Sequence, residues 1–191
     1  FSALMAYWGR KQLLRLAGTY GGLLQRQAHH AQALQYQAWL RAGQSQLAEK
    51  VVGQLPLPVL CQNILNFLGD YLGSVVGAVY VGGDEKVFSR IASYGFSKEM
   101  ANNSQTFACG EGLVGQVAAG GQPVFLDQLT PSYFKVNSGL GNDMPVAIAI
   151  LPATSDAIVN AVVELGFVRC ISSRDMDFLK LISANIGASV Q

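Results

Sequence analysis

Side chains that bind metals or act as nucleophiles are scarce in this chain of 191 residues, which holds two histidines and three cysteines. The histidines are neighbours, His29 and His30, so on a helix they face different directions and cannot hold one ion as an i, i+4 pair could. Cys61, Cys109 and Cys170 form no CxxC or Cys/His pattern, which argues against a zinc site, and their odd number argues against a disulfide framework. With both histidines near the N-terminus, no Ser/His/Asp grouping is legible, and neither catalytic nor metal-ligating residues are expected. Charge is also sparse, at 13% of residues. No stretch reaches the roughly 18 apolar residues of a membrane-spanning helix. Clustered Lys/Arg interleaved with aromatics is missing, so no nucleic-acid partner is expected.

What is present is apolar: half of the residues, with a net charge of +1, which excludes intrinsic disorder. That small net charge hides a split. Residues 1–50 carry six basic residues and one acid, a net +5, whereas residues 51–191 carry seven basic and eleven acidic residues, a net −4. The division suggests a helical arm or connector over 1–50 and a folded domain over 51–191. Phe1 to Gly9, followed by Arg10 and Lys11, reads either as the last turns of a spanning helix with its charges on the cytoplasmic side or as the start of a coiled coil. The first alternative implies a cytoplasmic domain of an inner-membrane protein, attached through a segment ahead of Phe1.

Leu13, Leu16, Tyr20, Leu24, Ala28, Ala31, Leu34 and Ala38 step by three or four, the pattern of a helical seam, and no proline interrupts it. Glycines 18, 21 and 22 predict a break, giving two helices. After Pro56 and Pro58, an apolar stripe over Leu57–Leu72 predicts a helix packed on a sheet, with Cys61 as a buried thiol on its inner side. Strands are expected at Val75–Val81, Val87–Tyr94, Pro123–Leu126, Val146–Pro152 and Ile158–Phe167. Short and closing helices are expected at Gly110–Ala119 and Asp175–Val190. Strands and helices do not alternate as βαβα, so the fold class is α+β around an antiparallel sheet. The connection Thr130–Asp143 is longer than usual, as binding segments often are.

Gly110-Glu-Gly-Leu-Val-Gly115 reads Gly-x-Gly-x-x-Gly but lacks the strand before it and the long helix after it that a dinucleotide fingerprint needs. A tight helix start is the better reading. The run Ala108-Cys-Gly-Glu-Gly-Leu-Val-Gly-Gln-Val-Ala118, followed by Pro123-Val-Phe-Leu-Asp127, resembles the signature of GAF sensor domains. The segments at Trp39–Lys50, Ile64–Gly73, Gly77–Tyr80, Tyr133–Gly141, Pro145 and Val163–Gly166 are similar to the subgroup found in bacterial multidomain sensors, including hybrid histidine kinases.

The resemblance implies a GAF-like central antiparallel sheet with flanking helices, preceded by the coiled-coil-like arm. It also implies a small-molecule pocket on the face opposite the terminal helices. Tyr94, Phe107, Tyr133, Phe134, Leu140, Asp143 and Met144 are its candidate lining residues. The expected role is a non-catalytic sensory module of a signalling protein, a homodimer through its N- and C-terminal helices. The ligand and any cofactor remain unnamed by the sequence. A ligand-free dimerisation spacer is the alternative. The residue tests for special members fail: no cysteine is followed by histidine as in bilin binders, and the cyclic-nucleotide pattern of phosphodiesterases is missing. Free methionine sulfoxide reductases would place a thiol at position 114, where this chain has Val114.

Overall fold

The computed structural model describes the backbone of residues 2–83, 85–96, 105–129 and 145–191, and the side chains of all of these except 2–6, 9 and 11–19. The chain forms two compact units, Phe1–Ala42 and Gly43–Gln191.

The first unit is helical. Helix α1 runs unbroken over Ser2–Val51 and continues into the second unit. The break expected at Gly18–Gly22 does not occur. A helical glycine costs only ~1 kcal/mol relative to alanine, and no proline, which costs ~3 kcal/mol or more, lies within the helix. Tyr20, Leu23, Leu24 and Leu34 are exposed along it, as are His29 and His30.

The second unit contains a six-stranded antiparallel sheet. Its elements are α2 (Leu57–Leu72), β1 (Val76–Gly82), β2 (Val87–Tyr94), β3 (Thr106–Ala108), α3 (Gly112–Gly120), β4 (Val124–Asp127), β5 (Ala147–Ser155), β6 (Ile158–Phe167) and α4 (Ser173–Val190). The strand order is β3-β2-β1-β6-β5-β4. This is the α+β architecture expected from the sequence.

Local chemistry sets the element ends. Pro56 and Pro58 start α2, and Gly73 stops it in the left-handed region at φ 70°, its N–H bonding the Gly69 carbonyl. At α4, Ser172 and Asp175 form a reciprocal capping box. Asp156 and Ala157, at φ 50° and 63°, make the tight turn between β5 and β6.

One face of the sheet carries α2 and α4. Leu60, Cys61, Ile64, Leu65, Leu68 and Leu72 of α2, with Phe178, Leu179, Ile182 and Ile186 of α4, are buried there. Each large apolar side chain so buried contributes about 1.5–3 kcal/mol. Gly187 lets α4 sit so close to β5 that a Cβ there would strike the Thr154 backbone. On the other face, α3 covers a cluster that includes Ala78, Tyr80, Phe88, Ile148, Ile150 and Val162.

Candidate functional site

The glycine-rich segment builds the corner where α3 begins. Gly110 and Gly112 take φ of 92° and 59°, conformations that a side chain would strain. Gly115 lies so near the Ala108 carbonyl that a Cβ could not be accommodated. The Glu111 carboxylate accepts from the Ala108 N–H at 3.0 Å and ties the corner to β3. These glycines therefore fix a tight helix start against a three-residue antiparallel strand, and no βαβ phosphate cradle is formed around them.

Beneath this corner, among the described residues, the α3 face of the sheet holds one buried charged side chain, set among apolar ones. Glu164 is 7% exposed on β6, opposite Ala78 of β1 and Ile150 of β5. Tyr80, across the β1–β6 pair and 84 residues away in sequence, donates its hydroxyl to the Glu164 carboxylate at 3.2 Å. Burial pushes the Glu164 carboxyl up to about 7, with the Tyr80 hydrogen bond working against that rise. Tyr80 is itself pushed well above an ordinary phenol, first by burial and then by the adjacent carboxylate, while Arg90 opposes the shift. The ring of Phe107 meets Tyr80 edge-on at 5.3 Å. Arg90 is paired with Tyr80 across the sheet and lies 5.2 Å from the centre of the Phe96 ring.

Of the sequence-expected lining residues, Phe107 is on this face. Tyr94 is on the opposite one, packed against Gly69 of α2 with its hydroxyl bonded to the Ser74 side chain and donating to the Ser74 carbonyl. The structure therefore does not bring Tyr94 and Phe107 together. Tyr133, Phe134, Leu140, Asp143 and Met144, with the Thr130–Asp143 connection, lie outside the described residues. Sequence reasoning missed Glu164 and Tyr80 as a pair. The available signal was a single charge inside the ten-residue apolar strand Ile158–Phe167.

The thiols separate into one buried and two exposed. Cys61 is fully buried, and its thiol is pushed up to about 11 by that burial. Cys109 and Cys170 are exposed. Cys109 borders a cleft of about 620 Å³ at the hairpin end of the sheet, which Glu164 does not line. Val114 is buried on α3 at 2% exposure. Among the described residues, no three His, Cys, Asp or Glu side chains are grouped to hold a metal, and no helix is long and apolar enough to cross a membrane.

A family model described as the GAF domain matches residues 54–191, which takes in the whole sheet, α2, α3 and α4. The chain belongs to the GAF domain family. Solved structures share the fold at low identity. The A. aeolicus nlh2 GAF domain in an inactive state is 18% identical with a TM-score of 0.63, over 81% of this chain and 96% of that one. The GAF domain of a Coxiella burnetii phosphoenolpyruvate-protein phosphotransferase is 16% identical with a TM-score of 0.63, over 79% and 92%. The free methionine-R-sulfoxide reductase of Neisseria meningitidis, in complex with its substrate, is 16% identical with a TM-score of 0.59, over 81% and 87%. A search of the curated proteins returns no match. GAF domains are generally regulatory or sensory modules, and the reductase shows that the same fold also hosts an enzyme.

Proposed function

We propose that this GAF domain is a non-catalytic sensory module of a cytoplasmic signalling protein of the sensor histidine kinase type. It binds a small molecule on the α3 face of the sheet and relays the signal through dimerising helices. The observation that carries the reading is Glu164, a carboxylate held with Tyr80 among apolar side chains on the face opposite the terminal helices. Apolar walls with one or two placed polar groups are what small-ligand sites require. Val114, an inert side chain at the position where the sulfoxide reductase resemblance places the thiol, supports the non-catalytic part. The exposed Tyr20, Leu24 and Leu34 of α1 support a homodimer, since a second copy would cover them. In this reading the +5 of residues 1–50 faces the cytoplasm, beside a membrane attachment ahead of Phe1.

Such a switch works only if the ligand prefers one arrangement of the helices, with couplings of roughly 1–3 kcal/mol. Native mass spectrometry of the purified chain tests the sensing part: a retained small molecule is expected, and its consistent absence favours the ligand-free spacer. Light scattering and cross-linking through Leu24→Cys test the relay, and a monomer that does not cross-link sinks it. Turnover of free methionine sulfoxide by the protein would overturn the non-catalytic reading.

A further inference from the structure

The environment of Glu164 asks for a positive charge that the described residues do not supply. An ionised carboxylate offers about four acceptor positions. Here one is met by a neutral phenol at 3.2 Å, and Glu164 makes no other hydrogen bond or ion pair among the described residues. The backbone amides around it are committed to the β1–β6 and β5–β6 ladders. Along and across the sheet its same-face neighbours are Val162, Ala78 and Ile150, each fully buried and none a donor. Among the described residues the cation close by is Arg90, which is paired with Tyr80 on β2 and has its guanidinium against the Phe96 ring. Burying a carboxylate with a single neutral hydrogen bond costs stability, and an apolar residue of similar volume would remove that cost. Every other buried position of β6 is apolar or glycine. The carboxylate is thus an expensive exception on the face proposed above for a ligand.

We propose that Glu164 anchors a small ligand carrying a protonated amine, with Tyr80 and Phe107 forming the aromatic side of its seat. This rests on the ligand-binding reading of the α3 face and names the class of molecule that the face selects. An ammonium group would supply the donors the carboxylate lacks and neutralise its charge in place, forming the charge-assisted bond that is strongest away from water. Tyr80 and Phe107, edge to face at 5.3 Å, offer π-surface beside the carboxylate, which favours a cation over an anion.

The test uses the 191-residue chain and matched probes: n-butylammonium and phenethylammonium, their alcohol analogues, and carboxylates of the same length. Thermal shift and amide chemical-shift titration at pH 8 should show the amines stabilising the protein and moving resonances at Ala78–Tyr80 and Val162–Gly166. The alcohols should bind more weakly and the carboxylates not at all. Glu164→Gln, which preserves shape and the Tyr80 hydrogen bond, should weaken the amines by roughly 10- to 100-fold and leave the alcohols unchanged. Amines binding equally to protein and variant would overturn the proposal. So would alcohols or carboxylates binding better than amines, an outcome that leaves the small-molecule site standing. If no probe of any charge moves those resonances, the ligand site falls along with its proposed selectivity. Should the variant fold poorly, the amine-to-alcohol comparison in the unaltered protein decides.

Discussion

Arg169 and Asp175 form a 2.6 Å ion pair that joins the chain leaving β6 to the first turn of α4. The same guanidinium donates to the Leu72 carbonyl at 2.6 Å, one of the carbonyls left open at the end of α2, and lies over the Phe167 ring. One side chain therefore links both helices of one sheet face to the strand that carries Glu164. Asp175 also accepts from the Ser172 N–H and hydroxyl.

Replacing Arg169 with Gln should lower stability by ~1–2 kcal/mol. That is less than a buried charged hydrogen bond would cost, because the arginine side chain is 44% exposed and partly screened. Urea unfolding should show a lower midpoint with the same slope. The same variant should loosen amide protection at the end of α2 and the start of α4 together, which a purely local loss at α4 would not do.

Glu164 gives a pH dependence of defined sign. Its folded carboxyl, raised from 4.5 to about 7, binds a proton more tightly than in the unfolded chain. The stability tied to that proton is complete below pH 4.5 and is lost as pH rises through about 7. Tyr80 faces it directly, and the charge of Arg90 acts on Tyr80. Glu164→Gln should raise the melting temperature more at pH 8, where the gain is on the order of a few kcal/mol, than at pH 5, where it is about 1 or less. An equal shift at both pH values would show that the carboxyl titrates normally. Asp175 opposes this trend at low pH: burial raises its carboxyl, but hydrogen bonds from Arg169 and Ser172 hold it below the ordinary value. Its contribution is lost as pH falls through that depressed value.

Two glycine substitutions should have opposite effects. Gly187→Ala places a methyl against the Thr154 backbone, which cannot move aside as a side-chain tip could, and should destabilise by about 1–3 kcal/mol. Gly21→Ala, with nothing within 4 Å of the new Cβ, should gain up to ~1 kcal/mol of helix stability, visible as increased helical circular dichroism.

Thiol titration should find Cys109 and Cys170 reactive in the native protein and Cys61 silent until denaturant is added. The thiolate is the reacting form, and burial disfavours it at Cys61. Three fast thiols would show that α2 does not stay on the sheet.

The sequence determined much of the fold because the signals are local. Helix α2 occupies Leu57–Leu72, between its prolines and Gly73, as the stripe predicted. Strands β2 and β6 have their expected bounds, with alternation or apolar runs ended by turn residues. Strand β3, three residues long, is too short for any periodicity to register. The single helix α1 escaped because three glycines weaken a helix without stopping it.

The site was decided by the tertiary structure. Tyr80 and Glu164 are unremarkable in their own segments and become a pair only when β6 returns beside β1. The two faces of β2 were likewise invisible. An irregularity in the β1–β2 register pairs Val79 with Ala92 but Tyr80 with Arg90, leaving Ile91 as an extra residue. That bulge turns Arg90 and Phe88 toward α3 while Ala92 and Tyr94 face α2. Alternation along the strand would have put Tyr94 beside Arg90. A residue's face depends on what its neighbouring strand allows, and only the pairing of distant segments sets it.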